Sequence, residues 1–396
     1  MIKNIKIENS QSLYLNISNK DNPISRVKSK YLEEVYIDKP EEYKPYFVIY
    51  VTNDCNKNCI YCFNKLNRKP TNINPTYSVD TLINFILSFN SPEIGIRFFG
   101  GEPILNFKFI KKTIESIKKT NIIANYDIFT NGELLTTKQL NYLKDNNCKI
   151  YISLPGSKKE IDDFDQLDAA IQNKIIEFNP FGRMVWVPSK KQSLKDLIKY
   201  SIDKGYEIIS FTLEWGKYDY SDSKSLIYKD LDEVARWYVE NVNDKNFKYI
   251  GLHPFSGYIA KWLSGEYNSR ACGCGDSMFS ISTDGKIYPC HAFNENREYC
   301  SGEIEDLNVK RLFKSRLLTK SASCKNCDYN IFCKAKCYAD FYFYNANMNY
   351  VNPFKCDYEK YIIYLSAKIL YLISIGDNYK LYKYLIKRGF KKYDNN

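Results

Sequence analysis

Between residues 46 and 213 the chain repeats one unit: a short apolar run suited to a strand, then a segment with apolar residues at helical spacing. The strand candidates are YFVIYV (46–51), IGIRFF (94–99), YDIFT (126–130), KIYISL (149–154), RMVWV (183–187) and IISFTL (208–213). Between them lie amphipathic stretches such as NFKFIKKTIESIKK and LKDLIKYSIDK. Strands joined through helices must run parallel, because only a crossover of that length returns the chain to the same edge. Six units predict a parallel α/β sheet curled into a partial barrel. Eight do not fit, since the pattern ends near residue 243. Ligand sites in such sheets gather at the carboxyl ends of the strands. Three unusual segments follow strands at that end: NDCNKNCIYC, GGEP and TNG.

The flanks differ in character. Residues 1–45 are polar and nearly charge-balanced, which suits a strand pair that caps the barrel or meets a partner. Residues 244–269 read as a linker. From about 270 onward, nine of the thirteen cysteines fall within 87 residues, with few long periodic segments. A stretch with so little core needs metal to hold it. The run YIIYLSAKILYLISI is 15 residues long and contains Lys368, so it is a buried or amphipathic helix rather than a membrane span. The first ten residues have no apolar signal region. A cytoplasmic location is therefore expected, where clustered thiols stay reduced and bind metal.

The net charge of +11 is concentrated partly in the last twenty residues, which carry six basic and two acidic side chains. That suits a solvated helix face (358–396 as a basic helical tail) or attraction to an acidic peptide or a nucleic acid. With only two histidines in the chain, a His-rich zinc hydrolase is excluded.

Cys55, Cys59 and Cys62 stand in a Cys-x3-Cys-x2-Cys loop directly after the first strand, with no fourth cysteine near. Three thiolates on one short loop suit three corners of a 4Fe–4S cubane, leaving one iron for an outside ligand. A zinc site completed by a distant cysteine would use the same residues. The spacing, together with FFGGEP (98–103) and IFTNGELLT, resembles the radical S-adenosylmethionine (SAM) enzymes across residues 46–215. That resemblance implies a cluster that binds SAM and, once reduced, cleaves it to a 5′-deoxyadenosyl radical. It also implies that Gly100 and Gly101 allow close backbone approach and that Glu102 offers an acceptor to the SAM ammonium. By the same resemblance the Tyr61 backbone meets the adenine, and Ser153 the ribose. Where relatives carry Ser-x-Asp-Gly this chain has SLPG, and the arginine they place shortly afterwards is missing from GSKKEIDDFDQLD.

A second pattern runs Cys274-x10-Gly285-x4-Cys290, then Cys324-x2-Cys327-x5-Cys333-x3-Cys337, then Cys356. It resembles the SPASM domain, a small cysteine-rich module (270–357 here) that binds two auxiliary 4Fe–4S clusters. The resemblance implies that Cys290 and Cys337 share the first cluster with an upstream cysteine, either Cys272 or Cys274 or both. Cys324, Cys327, Cys333 and Cys356 would hold the second. Cys148 and Cys300 are left over and read as inert thiols, and His253 as structural.

Together these resemblances imply three 4Fe–4S clusters, SAM as a consumed co-substrate, and an electron donor such as flavodoxin or ferredoxin. They also imply a maturase that installs a thioether, C–C or ether cross-link in a ribosomal precursor peptide, with residues 1–45 or a separate protein recognising the leader. No nucleic-acid partner is expected. In sulfatase maturases an aspartate follows the cysteine of the YPC segment, whereas this chain has His291, a group able to move a proton near neutral pH. Sulfatase-type formylglycine formation is the alternative within enzymes. A zinc-stabilised nucleic-acid binder is a third reading that leaves GGEP without a role.

Overall fold

A computed structural model describes residues 2–7, 11–16, 44–59, 61–66, 72–214, 220–242, 251–264, 273–275, 277–306, 327, 329, 333, 337, 339–340, 342 and 352–375. The six expected strands are present as β3 (Tyr46–Thr52), β4 (Glu93–Gly100), β5 (Ile123–Thr130), β6 (Lys149–Leu154), β7 (Phe181–Trp186) and β8 (Ile208–Leu213). Each pairs in parallel with the next. The helices of this region are α1 (Phe63–Leu66), α2 (Val79–Leu87), α3 (Phe107–Ile117), α4 (Thr137–Asp145), α5 (Lys158–Phe164), α6 (Ala169–Ile176), α7 (Leu194–Asp203) and α8 (Lys224–Val242). Several start on the capping chemistry their sequences advertise. Ser78 and Ser193 accept from the third residue of their helices, and Thr136 with Gln139 forms a reciprocal capping box.

Three further strands extend this sheet to nine, in the order β11-β10-β3-β4-β5-β6-β7-β8-β9. The segment expected as a linker contains β9 (Gly251–His253), parallel to β8, followed by α9 (Phe255–Ser264). Three residues are too short for the strand pattern to be read in sequence. At the other edge, β10 (Met278–Ile281) lies parallel to β3, and β11 (Ile287–Tyr288) returns antiparallel. The start of the cysteine-rich region is thus built onto the first barrel strand. A separate antiparallel ribbon, β1 (Ile2–Ile7) with β2 (Gln11–Asn16), precedes the sheet.

Side chains alternate across the strands, and the two faces have different fates. One face packs under the helices: Ile94, Ile96 and Phe98 of β4 and Ile150, Ile152 and Leu154 of β6 are at most 3% exposed. They meet helix residues such as Leu82, Ile86, Ile110 and Ile114 in one core. Each such side chain contributes about 1.5–3 kcal/mol on burial, so Ile96→Ala alone would cost about 2–5 kcal/mol. The other face carries Tyr46, Arg97, Phe99, Asp127, Phe129, Tyr151, Ser153 and Arg183. Side chains there touch across an intervening strand: the Tyr46 hydroxyl on β3 donates to Asp127 on β5, and Arg183 on β7 lies 5.2 Å from the Phe129 ring on β5. Strands two apart in a flat sheet are roughly 9.6 Å apart, so this face is concave and lines the lumen.

The last described helix, α10, spans Pro353–Ile375 and starts before the expected tail boundary. Asn352 accepts from the Lys355 amide at 3.1 Å, and proline follows as the first helical residue. Ile362, Ile363, Leu365 and Leu370 are fully buried, and Tyr361 meets Tyr228 of α8 edge-on at 4.5 Å. Among the described residues no helix is long and apolar enough to cross a membrane.

Candidate functional site at the carboxyl mouth of the sheet

The three-cysteine loop leaves β3 at Thr52 and is strapped to the ends of the next three strands. From β4, the Gly101 and Glu102 amides donate to the Thr52 and Asp54 carbonyls at 2.9 and 2.8 Å. A Cβ on Gly101 would lie 2.0 Å from the Asp54 carbonyl oxygen, so only glycine admits this contact. From the turn after β5, Asn131 donates to Asn56 at 2.9 Å, and Glu133 pairs with Lys57 at 2.5 Å. From the helix after β6, Glu160 receives the Tyr61 hydroxyl and also the Gly156 amide at 2.8 Å. Asn64 closes the loop by donating to the Gly100 carbonyl at 2.7 Å.

Cys55, Cys59 and Cys62 are all partly exposed. None of the eleven described cysteines is in a disulfide. Burial raises the Cys59 thiol pKa, and the charges of Glu160, Cys62 and Cys55 add to the rise. The three sulfurs therefore feel one another, as they must to share a cluster, and a bound cation would reverse the shift. The Lys57 amide points at the Cys55 sulfur at 3.4 Å. Among the described residues no three His, Cys, Asp or Glu side chains converge on a single metal ion. A cubane places one thiolate on each iron and needs no such convergence. The donor set fits a cluster with three protein ligands.

Glu102 is 1% exposed. Its carboxylate accepts from the Thr130 hydroxyl at 2.7 Å, the Asn131 amide at 2.8 Å and the Ile104 amide at 3.1 Å. The side chain expected to receive an ammonium thus already serves three donors of the protein and knits GGEP to TNG. Burial raises its pKa against the pull of those bonds. Ser153 is exposed on the lumen face, and its register partner across β7 is Arg183. The spacing of motifs alone did not single out Asn56, Lys57, Asn131, Glu133 or Glu160. The only available signal was their position next to the cysteines or just after a strand end.

His291 reaches this site from just beyond β11, the edge strand on the β3 side of the sheet. Its ring centre lies 5.1 Å from Phe99, which precedes GGEP, and 5.5 Å from Phe63, which follows Cys62. The Tyr50 hydroxyl lies 3.3 Å from the His291 carbonyl, and His291 Nδ1 is 3.6 Å from the Cys290 sulfur. One histidine therefore touches both the three-cysteine site and the first residue set of the second pattern. From it, ring-to-ring contacts continue along the lumen through Phe99, Phe129, Tyr151 and Phe181 at 5.7, 4.4 and 5.0 Å.

The remaining cysteines fall into two groups. Cys274, Cys290 and Cys337 pack in one small apolar cluster with Tyr288 and Phe293, and Cys300 packs against the same cluster. The Cys290 thiol is held well below its ordinary pKa, first by the Cys274 thiol that donates to it and then by His291 and the Ala292 amide, against the effect of burial. Gly285, with φ of +81°, makes the β10–β11 turn that sets Cys274 and Cys290 beside each other. Cys327 and Cys333 instead pack against the main core, and Cys356 lies in the first turn of α10. Cys272 and Cys324 lie outside the described residues. Cys148 is buried, with its pKa raised by that burial, and His253 ends β9.

Residues 49–176 match the model of the radical SAM superfamily. The chain is 25% identical over 330 residues to a cysteine-type anaerobic sulfatase-maturating enzyme of Clostridium novyi, covering 72% of this chain and 85% of that one. It is 24% identical over 358 residues to the radical SAM cyclopropyl synthase TigE of Paramaledivibacter caminithermalis, covering 79% and 72%. The fold matches that of anSMEcpe solved with AdoMet, with a TM-score of 0.68 at 20% identity, over 83% of this chain and 99% of that one.

Proposed function

We propose that this chain, a radical SAM enzyme related to sulfatase maturases and peptide modifiers, installs a cross-link in a ribosomal precursor peptide bound in its lumen. The observation that carries the reading is the contact of His291 with Phe63 and Phe99, which joins the three-cysteine loop to the Cys290 segment around one mouth. Cys55, Cys59 and Cys62 would hold the SAM-binding cluster, and Cys274, Cys290 and Cys337 the first auxiliary one, completed by Cys272 or another thiol. Cys324, Cys327, Cys333 and Cys356 would hold the second. When bound, the first cluster supplies the one-electron reduction that splits SAM and starts hydrogen abstraction, drawing on a flavodoxin or ferredoxin.

The chain's own residues supply the rest. The Gly100–Glu102 backbone, the Tyr61 backbone and Ser153 would cradle SAM. The aromatic row from Phe99 to Phe181 keeps water from the reacting side chain, because its faces offer no hydrogen-bonding group. His291 would take a proton from the substrate as it is oxidised, the auxiliary cluster held by Cys274, Cys290 and Cys337 supplying, when bound, the acceptor for the electron lost. The β1–β2 ribbon would offer a sheet edge to the leader segment, alone or together with a separate leader-binding protein. That anSMEcpe, which shares this fold, has been solved with AdoMet and the Cp18Cys peptide bound supports a peptide as the substrate.

Anaerobic reconstitution tests the reading. About 12 irons per chain are expected for three 4Fe–4S clusters. Dithionite and SAM should release 5′-deoxyadenosine, and Cys62→Ala should abolish the release. A precursor peptide should lose about two mass units per cross-link, the two hydrogens removed when one bond is made. The sulfatase-maturase reading is favoured by the C. novyi relative. Aldehyde formation at the cysteine of a sulfatase peptide, with no cross-linked product from any precursor, would decide for it.

A further inference from the structure

Two arginines face the lumen, and among the described residues only one is neutralised. Arg97 on β4 pairs with Asp127 at 3.2 Å, and the Tyr46 hydroxyl shares that carboxylate. Its guanidinium lies 4.3 Å from the centre of the Phe129 ring. Arg183 on β7 lies 5.2 Å from the same ring. Among the described residues it has no carboxylate, carbonyl or hydroxyl partner. Among the described residues two fixed cations thus share one fixed anion. An arginine cannot shed its proton to escape this imbalance.

Arg183 is reached by solvent although protein surrounds it, as a side chain lining a cavity must be. Burial lowers its pKa, and the like charge of Arg97 lowers it further. It stands one strand from Ser153 in register, at the level where β8 offers Ser210. Phe129, Tyr151 and Phe181 form the aromatic floor beneath it. The overall charge of +11 favours the approach of an anion.

We propose that Arg183 is the specificity residue for a carboxylate of the peptide substrate, an acidic side chain or the C-terminus, held in the lumen beside aromatic or apolar neighbours. The planar fork of the guanidinium matches a carboxylate in two parallel hydrogen bonds while its face stays on Phe129. The proposal rests on the peptide-modifying reading above. A carboxylate also exists on SAM, and the experiment must tell the two sources apart.

The probes are two blocked peptides, acetyl-Gly-Phe-Asp-Phe-Gly-amide and its Asn counterpart, titrated calorimetrically into the anaerobically reconstituted full chain saturated with SAM. The Asp peptide should bind the unmodified protein about tenfold tighter than the Asn peptide, as a charge-assisted pair predicts. Arg183→Gln should erase that ratio, Arg183→Lys should keep a fraction of it, and SAM affinity should stay within about twofold in both. Equal binding of the two peptides by the unmodified protein, or no binding of either, overturns the proposal whether or not a variant folds. So does an Arg183→Gln protein that loses SAM affinity while its preference for Asp persists, because the carboxylate partner is then that of SAM. Asp preference in a protein that never releases 5′-deoxyadenosine would leave this site standing and remove the radical reading. Release without Asp preference would do the opposite.

Discussion

The two described cysteine regions are organised by opposite means. The Cys55–Cys62 loop is held by ordinary protein bonds to β4, β5 and α5, among them Gly101 to Thr52, Glu133 to Lys57 and Glu160 to Tyr61. The Cys274–Cys290–Cys337 group is drawn from positions far apart in sequence, and among the described residues it gathers around four buried ones, Cys274, Tyr288, Phe293 and Ala339. A loop scaffolded in this way would be in place before the proposed cluster binds. On the ligation proposed above, a bound cluster would tie these distant segments together and add its binding energy to folding. On that same ligation, the difference suits a first site that exchanges an outside ligand and a second that keeps its ligands permanently.

The sharpest way to break this comparison is to remove one ligand from each side. Cys62→Ala and Cys290→Ser should each lower the iron content by about 4 per chain. Hydrogen exchange should then separate them. Cys62→Ala should leave both regions protected, whereas Cys290→Ser should expose the amides of 285–304 and spare the barrel strands. Equal loss of protection in both variants would refute the contrast.

A smaller effect is expected at the scaffold of the first loop. Gly101→Ala forces a Cβ into the Asp54 carbonyl, and overpacking of this kind costs about 1–3 kcal/mol in chemical denaturation. Smaller still is Lys57→Met, which removes a partly exposed ion pair with Glu133 and should cost about 0.2–1 kcal/mol. The same variant should retain iron, because the Asn131–Asn56 bond still ties the loop to β5.

The mildest test concerns pH. Burial raises the Glu102 pKa above that of an unfolded glutamate, so the folded protein keeps a proton that the unfolded chain has lost. This group's contribution to stability is complete below the ordinary glutamate pKa and disappears as pH rises through its raised value. Glu102→Gln should flatten the fall in unfolding free energy across that window. An unchanged slope would show that the three bonds to Glu102 outweigh its desolvation.

Legibility in the sequence followed the range of the interactions concerned. The six parallel strands were readable because each is four to eight residues of local apolar pattern, and the helix caps because Ser78, Thr136 and Ser193 act on their own next turn. β9 and the β10–β11 hairpin were not, because short strands of two to four residues acquire meaning only beside β8 and β3. Among site residues, the cysteines and glycines stood out by type and spacing. Glu160, Asn131 and Glu133 are common polar residues whose roles depend on a partner up to 99 residues away.

The chain's sequence alone determined which chemistry is available: three thiols on one loop, a second cysteine series, and a strand–helix repeat that brings loops to one mouth. Those facts depend on residue type and on distances along the chain. Only the folded sheet decided that His291 would meet Phe63 and Phe99, and that Arg97 would find Asp127 while Arg183, among the described residues, found no anion. Curvature of the sheet sets those pairings across strands, and no local pattern encodes it.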